Sequence, residues 1–428
     1  MRQYRVRGKT RIAGDIEIGG AKNAVLPILA AVCLNERETI IHNCPRIADT
    51  FVSIDILSCM GYKPKFEKNT LIVNASSGVE CDIPDECVSK MRSSILFMGA
   101  MLAKCGHVKI ANPGGCDLGT RAIDLHINGL REMGAKIHYK DGKLHCHAEG
   151  LKGAKIHLHT ASVGATENLM IAAVKAKGET IIENAAKEPE IIDLACFLTG
   201  MGAKIKGAGT SKVVIEGVEQ LSQKRPHFIM PDRIVAGTYL VAAAITGGEI
   251  KLDSINPTDL LPTINPLKEM GCHISVSGAS VHLKAPQRLK AMSQLTTKVH
   301  PGFPTDMQAQ LVAALALAKG DSSLTETIFD GRNQHAHELS RMGAKIVMSN
   351  NNATFNITGV DKLHGKVVQS KDLRGGAALV LAGLAAEGET IVQNAEYIER
   401  GYEHIDKDLN SLGADIVFEE VIDAEKCA

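Results

Sequence analysis

The sequence contains no tryptophan, and aromatic residues make up only 4% of its 428 positions. Its interior must therefore be packed by small and branched aliphatic side chains rather than by large rings. An excess charge of either sign is also missing, since 48 Lys and Arg balance 48 Asp and Glu. No overall field exists to hold the chain on nucleic acid or on an anionic membrane, so neither is expected as a partner, and any basic patch must be local. No run approaches the roughly 20 apolar residues of a spanning helix, and MRQYRVRGKTRIAG has no apolar stretch of signal-peptide length. A cytoplasmic protein is the expectation. A Walker loop is absent, and GAG at 207–209 lacks the third glycine and following helix of a dinucleotide fingerprint. HCH at 145–147, HLH at 157–159 and HAH at 335–337 pair imidazoles on one strand face, but no cysteine or carboxylate at ligand spacing completes a metal site. The eleven cysteines form no repeating framework and are odd in number, which suggests reduced thiols, most of them small core residues.

What is present is a 45% apolar, glycine-rich chain, long enough for two or three domains. One phrase recurs along it: LSCMGYKPK at Gly61, LREMGAKIH at Gly134, LTGMGAKIK at Gly202, LKEMGCHIS at Gly271, LSRMGAKIV at Gly343 and LNSLGADIV at Gly413. The glycine following an apolar helical turn reads as a left-handed cap, and the alternating residues after it read as a strand. Upstream of each copy lies a strand such as GETIIENA, and before that a helix such as TYLVAAAITG, apolar on nearly every face and hence buried. Six units of about 70 residues are longer than ordinary solenoid repeats. Two closed domains of three β-α-β-α-β-β repeats each, an α/β fold of two inverse barrel-like domains, bury such helices better than an open stack. The last copy is short of strands while QYRVRGKTRIAGDIEIG precedes the first, so the N-terminal segment is expected to complete the sixth unit. The expected domains are 21–230, and 1–20 together with 231–428.

The repeats differ at the residue that opens each buried helix: Lys22, Arg92, Ser162 to Gly164, Arg233, Asp306 and Arg374. Helix starts in facing domains would aim free amides and partial positive charge into a common cleft. Four of the six add a full cation, a placement the helix dipole disfavours by about 0.3–1 kcal/mol, which asks for a functional reason. Such a cleft suits a ligand with several anionic groups, and SVGA offers a backbone-rich start for phosphate. Asp306 is the exception. Thr305 and Gln308 form a capping-box pattern that would make it an ordinary first-turn acid. Facing a basic cleft, it could instead take a proton from a hydroxyl.

Cys116 stands in NPGGCDLGTR, where Asn, Pro and two Gly favour an irregular loop. Arg121 would lower the pKa of an exposed thiol there and Asp117 would raise it, so acid, nucleophile and inert thiol are all open from the residues alone.

Ten segments in order, among them GGAKNAVLPILAA, MRSSILFMGA, PGGCDLGTRAIDLHINGL, SVGATENLMIAA, PDRIVAGTYLVAAAITGG, FPTDMQAQ, DLRGGAALVLAG and RGYEHID, resemble the UDP-N-acetylglucosamine 1-carboxyvinyltransferases, enolpyruvyl transferases that open peptidoglycan precursor synthesis. The resemblance implies phosphoenolpyruvate and UDP-N-acetylglucosamine as substrates, a phosphate-releasing transfer to the sugar 3-hydroxyl, no metal or organic cofactor, and no obligate protein partner. It implies that Lys22 and Asn23 meet phosphoenolpyruvate, and that Arg121, Ala122, Ile123, Asp124 and Leu125 hold the nucleotide sugar with Ser162, Val163 and Gly164. Cys116 would be the loop acid, carried in by Gly114 and Gly115 and open to the epoxide fosfomycin. Asp306 would sit by the 3-hydroxyl, and Arg92, Arg233, Ile328, Arg332, Asp372, Arg374 and Arg400 would surround the anions and developing charge. Thr160 stands where the family has Lys or Pro, which bears on the grip of the diphosphate.

Overall fold

The computed structural model describes residues 1–74, 80–111, 114 and 123–421. These fall into two compact units, one made of Met1–Ile18 with the chain from Pro231 onward, the other of the described residues between Gly19 and Met230. Each unit has its own apolar core.

The third repeat shows the common plan. Strand Lys155–His157 leads into helix Val163–Ala173, strand Glu179–Glu183, helix Pro189–Gly200, and the antiparallel strands Lys204–Lys206 and Lys212–Glu216. Glu179–Glu183 runs parallel to Lys155–His157 on one side and antiparallel to Lys212–Glu216 on the other. The helix between two parallel strands has to lie over their sheet. The central helices are mostly buried, Gln308–Ala316 throughout and Leu373–Ala385 over Leu373–Leu384. Their alanines let neighbouring helices approach closely. At Gly99, in helix Leu96–Cys105, even a methyl group would overlap the Asn168 side chain of helix Val163–Ala173.

All six repeated glycines, Gly61, Gly134, Gly202, Gly271, Gly343 and Gly413, adopt φ between 91° and 109°. Only glycine enters that region without strain, so the phrase marks the end of each outer helix for a stereochemical reason.

The N-terminal segment divides its services. Strand Arg2–Arg7 lies antiparallel between Glu389–Gln393 and Ile416–Glu420, completing the sixth repeat. Strand Ala13–Glu17, expected beside it, instead pairs in parallel with Glu249–Asp253 of the fourth repeat. The chain turns away after Gly8, whose N–H donates to Gly388 O, and Ile12 then accepts from Glu249 N. The other unit closes likewise, with His227–Phe228 parallel to Thr39–His42 of the first repeat.

One expectation about the cysteines is corrected. Cys81 and Cys105, with Cα atoms 6.6 Å apart, form a disulfide. Helix Leu96–Cys105 ends at a left-handed Gly106, and Ile83 N bonds to Lys109 O just beyond, which lays the two thiols side by side. Cys33, Cys44, Cys59, Cys87, Cys146, Cys196 and Cys272 form no disulfide. No helix among the described residues is long and apolar enough to cross a membrane.

Candidate active site

The helix starts compared in the sequence are helix starts in the structure. Lys22 opens Lys22–Ala31, Arg92 opens a 3-10 turn leading into Leu96–Cys105, and Ser162 caps Val163–Ala173. Arg233 opens Arg233–Ile245, Asp306 lies in the 3-10 turn Thr305–Met307 ahead of Gln308–Ala316, and Arg374 is the second residue of Leu373–Ala385.

In the unit containing Asp306, the helix-start Arg374 and the loop residue Arg332 converge on its carboxylate. Asp306 Oδ1 accepts from Arg332 Nη1 at 2.9 Å, and Oδ2 accepts from Arg374 Nη2 at 3.3 Å. Arg374 is 2% exposed and Asp306 21%, so the acid reaches solvent from a buried guanidinium. Burial opposes the charge on Arg374, but Tyr402, Asp306 and Asp232 around it outweigh that effect and hold the guanidinium firmly charged. The capping box expected from Thr305 and Gln308 does not form: Pro304 is the N-cap and no side chain caps the turn. Thr305 Oγ1 instead donates to Glu326 Oε2 and accepts from Arg332 Nη1, both at 2.8 Å. Two guanidiniums thus hold Asp306, which is more than a first-turn acid needs.

Two further carboxylates stand at these helix starts: Asp232, which the sequence reading did not name, and Asp372, which it did. Asp232 caps the helix of Arg233 by accepting from Ile234 N at 2.8 Å and Val235 N at 2.9 Å. Asp372 caps the helix of Arg374 by accepting from Arg374 N and Gly375 N. The unfavourable cation at a helix start is offset by an acid immediately before it. The signal was legible as the Asp in PDR and KDLR.

Other partners carried no such signal. Glu326 Oε1 accepts from Thr297 Oγ1, Ile328 N and Phe329 N, and so pins the loop carrying the exposed Ile328. Behind the acid, Gln310 Nε2 donates to Asp306 O and to Thr238 Oγ1, and Thr238 Oγ1 bonds Tyr402 Oη at 2.8 Å. Buried His335 is pushed down to about 4, chiefly by burial, with Arg332 and His337 acting the same way against Asp372. It is a neutral ring beside the cationic cluster. Arg400 ends the 3-10 segment Ala395–Arg400, half-buried.

The other unit presents a different surface. Lys22 Nζ pairs with Asp49 Oδ2 at 2.9 Å, Asp49 being buried in helix Ala48–Cys59. Asn23 follows it, half-buried. Ser162 Oγ accepts from Ala165 N at 3.3 Å, and Val163 and Gly164 are half-exposed beside it. Ile123 and Leu125 pack on the core, while Asp124 is exposed with His159 3.9 Å away. Thr160 is exposed. Cys116, Arg121 and Ala122 lie outside the described residues. Gly114, expected to let the loop swing, is a point of attachment: its N–H donates to Val88 O, and a Cβ on it would overlap the Ser89 carbonyl. Among the described residues no three His, Cys, Asp or Glu side chains gather as a metal site would need.

The chain matches the family described as EPSP synthase (3-phosphoshikimate 1-carboxyvinyltransferase) over residues 6–409. It belongs to that family. Within it, the chain is 49% identical over 417 residues to UDP-N-acetylglucosamine 1-carboxyvinyltransferase 2 of Caldanaerobacter subterraneus subsp. tengcongensis, covering 97% of this chain and 99% of that one. The enolpyruvyl transferase NikO from Streptomyces tendae superposes with a TM-score of 0.87 at 23% identity, covering 98% of this chain and 99% of the other. EPSP synthase from Acinetobacter baumannii superposes at 0.75 and 20% identity, over 98% and 100% of the two chains. At those identities the structures attest the enolpyruvyl transferase fold alone, and the two-unit architecture of six repeats is that fold.

Proposed function

We propose that the protein transfers the enolpyruvyl group of phosphoenolpyruvate to the 3-hydroxyl of UDP-N-acetylglucosamine with release of phosphate, a step in making peptidoglycan precursors. The observation that carries this reading is the 49% identity, along nearly the whole of both chains, to a protein named for that transfer.

The chemistry matches the side chains. The methylene carbon of phosphoenolpyruvate gains a proton while the sugar oxygen bonds to the neighbouring carbon and loses its own proton. The resulting tetrahedral ketal then gives up a proton from its new methyl group as it expels phosphate, which restores the enol double bond. Cys116 is the proposed acid and Asp306 the acceptor of the hydroxyl proton, each worth about 10²–10⁴ in rate. Asp306 is suited to its role because two guanidiniums fix both oxygens, which removes the need to orient it during reaction. Lys22, Arg92, Arg233, Arg332, Arg374 and Arg400 supply positive charge to the carboxylate and phosphate. Asn23 assists Lys22, and Asp372 keeps Arg374 in place. Ser162 to Gly164 and residues 121–125 hold the nucleotide sugar, and Ile328 borders it.

Phosphate release from the two substrates together tests the reading, with Cys116→Ala as the control. No release above that control overturns it. Turnover with shikimate 3-phosphate but not UDP-N-acetylglucosamine would reassign the acceptor. Fosfomycin should alkylate the wild type, whereas Cys116→Asp should keep measurable turnover and escape alkylation.

A further inference from the structure

The HCH motif at 145–147 has no part in the reaction above, and the sheet that carries it gathers more basic side chains around it. Strand Lys143–His147 lies between His107–Ala111 and Lys136–Lys140, antiparallel to both. The register sets His107, His147 and Lys136 in one row, Lys109, His145 and His138 in the next, and Ala111, Lys143 and Lys140 in the third. Alternation sends all nine to one face, because Val108, Ile110, Ile137, Leu144 and Cys146 between them are buried in the core. The His138 and His145 rings stack on that face with centroids 5.6 Å apart. Four lysines, four histidines and one alanine thus share a face with no acid among them, in a chain whose charges balance overall.

The other repeats show that this is a departure from the common pattern. Lys136 stands two residues after Gly134 of its phrase, and Lys204 two residues after Gly202 of the next. Lys204 faces Glu216 across the strands and pairs with it at 2.6 Å. Lys136, at the same place in its repeat, faces His147. In the fourth repeat Lys284 faces Glu249, whereas here Lys140 faces Lys143. Like charges directly opposite destabilise a strand pair, so the arrangement runs against the stability of its own sheet and asks for a function. Asp82 and Asp85 pair with Lys109 and Lys143 at 2.8 and 2.9 Å. Among the described residues no acid pairs with Lys136 or Lys140, both exposed, and Asp141 lies in the turn beyond the strands.

We infer that the solvent face of strands His107–Ala111, Lys136–Lys140 and Lys143–His147 is a docking surface for an anionic phospholipid bilayer, its lysine ammonium groups set against headgroup phosphates. Zero net charge on the whole chain does not oppose this. Fields between exposed charges fade within about 10 Å at 0.1 M salt, so a bilayer responds to the charge of the face it meets. The cations are spread over three neighbouring strands, an area of about 10 by 14 Å at ordinary strand spacings. That matches a plane of charge, whereas a nucleic-acid strand presents a line of phosphates and is held in a groove that tracks it. The imidazoles add hydrogen-bond donors to the same plane. Ala111 is the sole apolar residue of the nine, so the contact is electrostatic and does not insert. Nothing in it depends on enolpyruvyl chemistry.

The test is co-sedimentation of the full-length protein with vesicles of phosphatidylcholine alone and of phosphatidylcholine and phosphatidylglycerol in equal parts. Binding is expected to the mixed vesicles only, and should be lost at about 0.5 M salt. Lys136→Gln with Lys140→Gln should weaken it about 30-fold, at about fivefold for each lysine near an anionic surface. Lys155→Gln with Lys204→Gln, on the sheet of the third repeat, should change it by less than about twofold, because those lysines already pair with Glu183 and Glu216. Lys140→Glu turns the like-charged pair with Lys143 into an opposite one, so it should weaken vesicle binding while raising the unfolding temperature. A fall in both would make Lys140 a structural residue and overturn the inference. So would equal binding to the two kinds of vesicle, no binding to either, or an unchanged affinity in the Lys136 and Lys140 double variant. Tighter binding of single-stranded RNA than of the mixed vesicles overturns the assignment to lipid.

Discussion

Around Asp306 the positive charges are locked in place. Arg374 and Arg332 share one carboxylate, Asp232 and Asp372 cap the helices of Arg233 and Arg374, and Glu326 ties down the loops beside them. Around Ser162 stand a serine cap, the half-exposed backbone at Val163 and Gly164, and the amide-fixed His126, a neutral ring acted on by the nearby Arg92, with Lys22 of the same unit paired to Asp49. The scaffolds are the same, three repeats closing on a buried bundle, so fold does not cause the contrast. Fixed charge is worth most where charge develops during a reaction, because no reorganisation is needed at that moment. Neutral directed donors suit an anion that is held without changing. On the proposed function, the same repeat would serve the reaction at Asp306 and hold the nucleotide sugar at Ser162.

The strongest way to break that contrast is at the acid. Asp306→Asn should lower phosphate release by about 10²–10⁴-fold. It also strips the shared counter-charge from two buried guanidiniums, so the unit should lose about 3 kcal/mol, the low end for a broken buried pair because Asp306 itself reaches solvent. Phosphate release and thermal unfolding measured on the same sample separate the two effects. Turnover within tenfold of wild type would mean that this carboxylate is only a strut.

The second test should touch only the other unit. The disulfide between Cys81 and Cys105 closes a loop across 24 positions, and its removal should cost about 3 kcal/mol. In calorimetry, Cys81→Ala with Cys105→Ala should lower the unfolding temperature of the unit between Gly19 and Met230 and leave the other unit unmoved. Two equally shifted transitions would show that the units do not unfold independently.

How much of this could be read in advance depended on distance along the chain. The six glycines announced themselves because a left-handed cap is a local requirement, satisfied at φ near 100° in every copy. The helix starts were legible for the same reason, and so were the Asp caps, which stand one or two residues before their arginines. What the residues could not disclose was pairing decided by which repeat packs beside which. Asp49 for Lys22, Glu326 for Thr305, and Arg332 for Asp306 are separated by 20 residues or more, and nothing in the intervening segments marks them. The split service of the N-terminal strands and the Cys81–Cys105 pairing were hidden in the same way.

A pH test sharpens the contrast from inside a core. Glu167 is buried in helix Val163–Ala173, and burial, then Glu190 and Glu188, raise its carboxyl well above the ordinary value. A raised carboxyl keeps its proton in the folded state after the unfolded chain has released it. Its contribution to stability is therefore complete below the ordinary value of 4.5 and declines as pH climbs from there toward the folded value. Glu167→Gln keeps the shape without the titration. It should leave stability unchanged near pH 4 and raise it at pH 8, by about 1.4 kcal/mol for each unit of displacement. An equal effect at both pH values would show that the carboxyl is ionised in place.

The smallest effects come from the caps, and here magnitudes can be ranked from geometry. Asp232 accepts two short bonds, from Ile234 N and Val235 N, while Ser162 accepts a single long one from Ala165 N at 3.3 Å. Removing a helix cap costs about 0.5–2 kcal/mol. Asp232→Ala should therefore lie near 2 kcal/mol, raised further by the charge that Asp232 lends to Arg374, and Ser162→Ala near 0.5 kcal/mol. Denaturant unfolding of the two variants gives the comparison directly. If Ser162→Ala is as damaging as Asp232→Ala, the serine is holding its unit together as firmly as the aspartate holds the other, and the division between a charge-locked unit and a neutral, ligand-facing one dissolves.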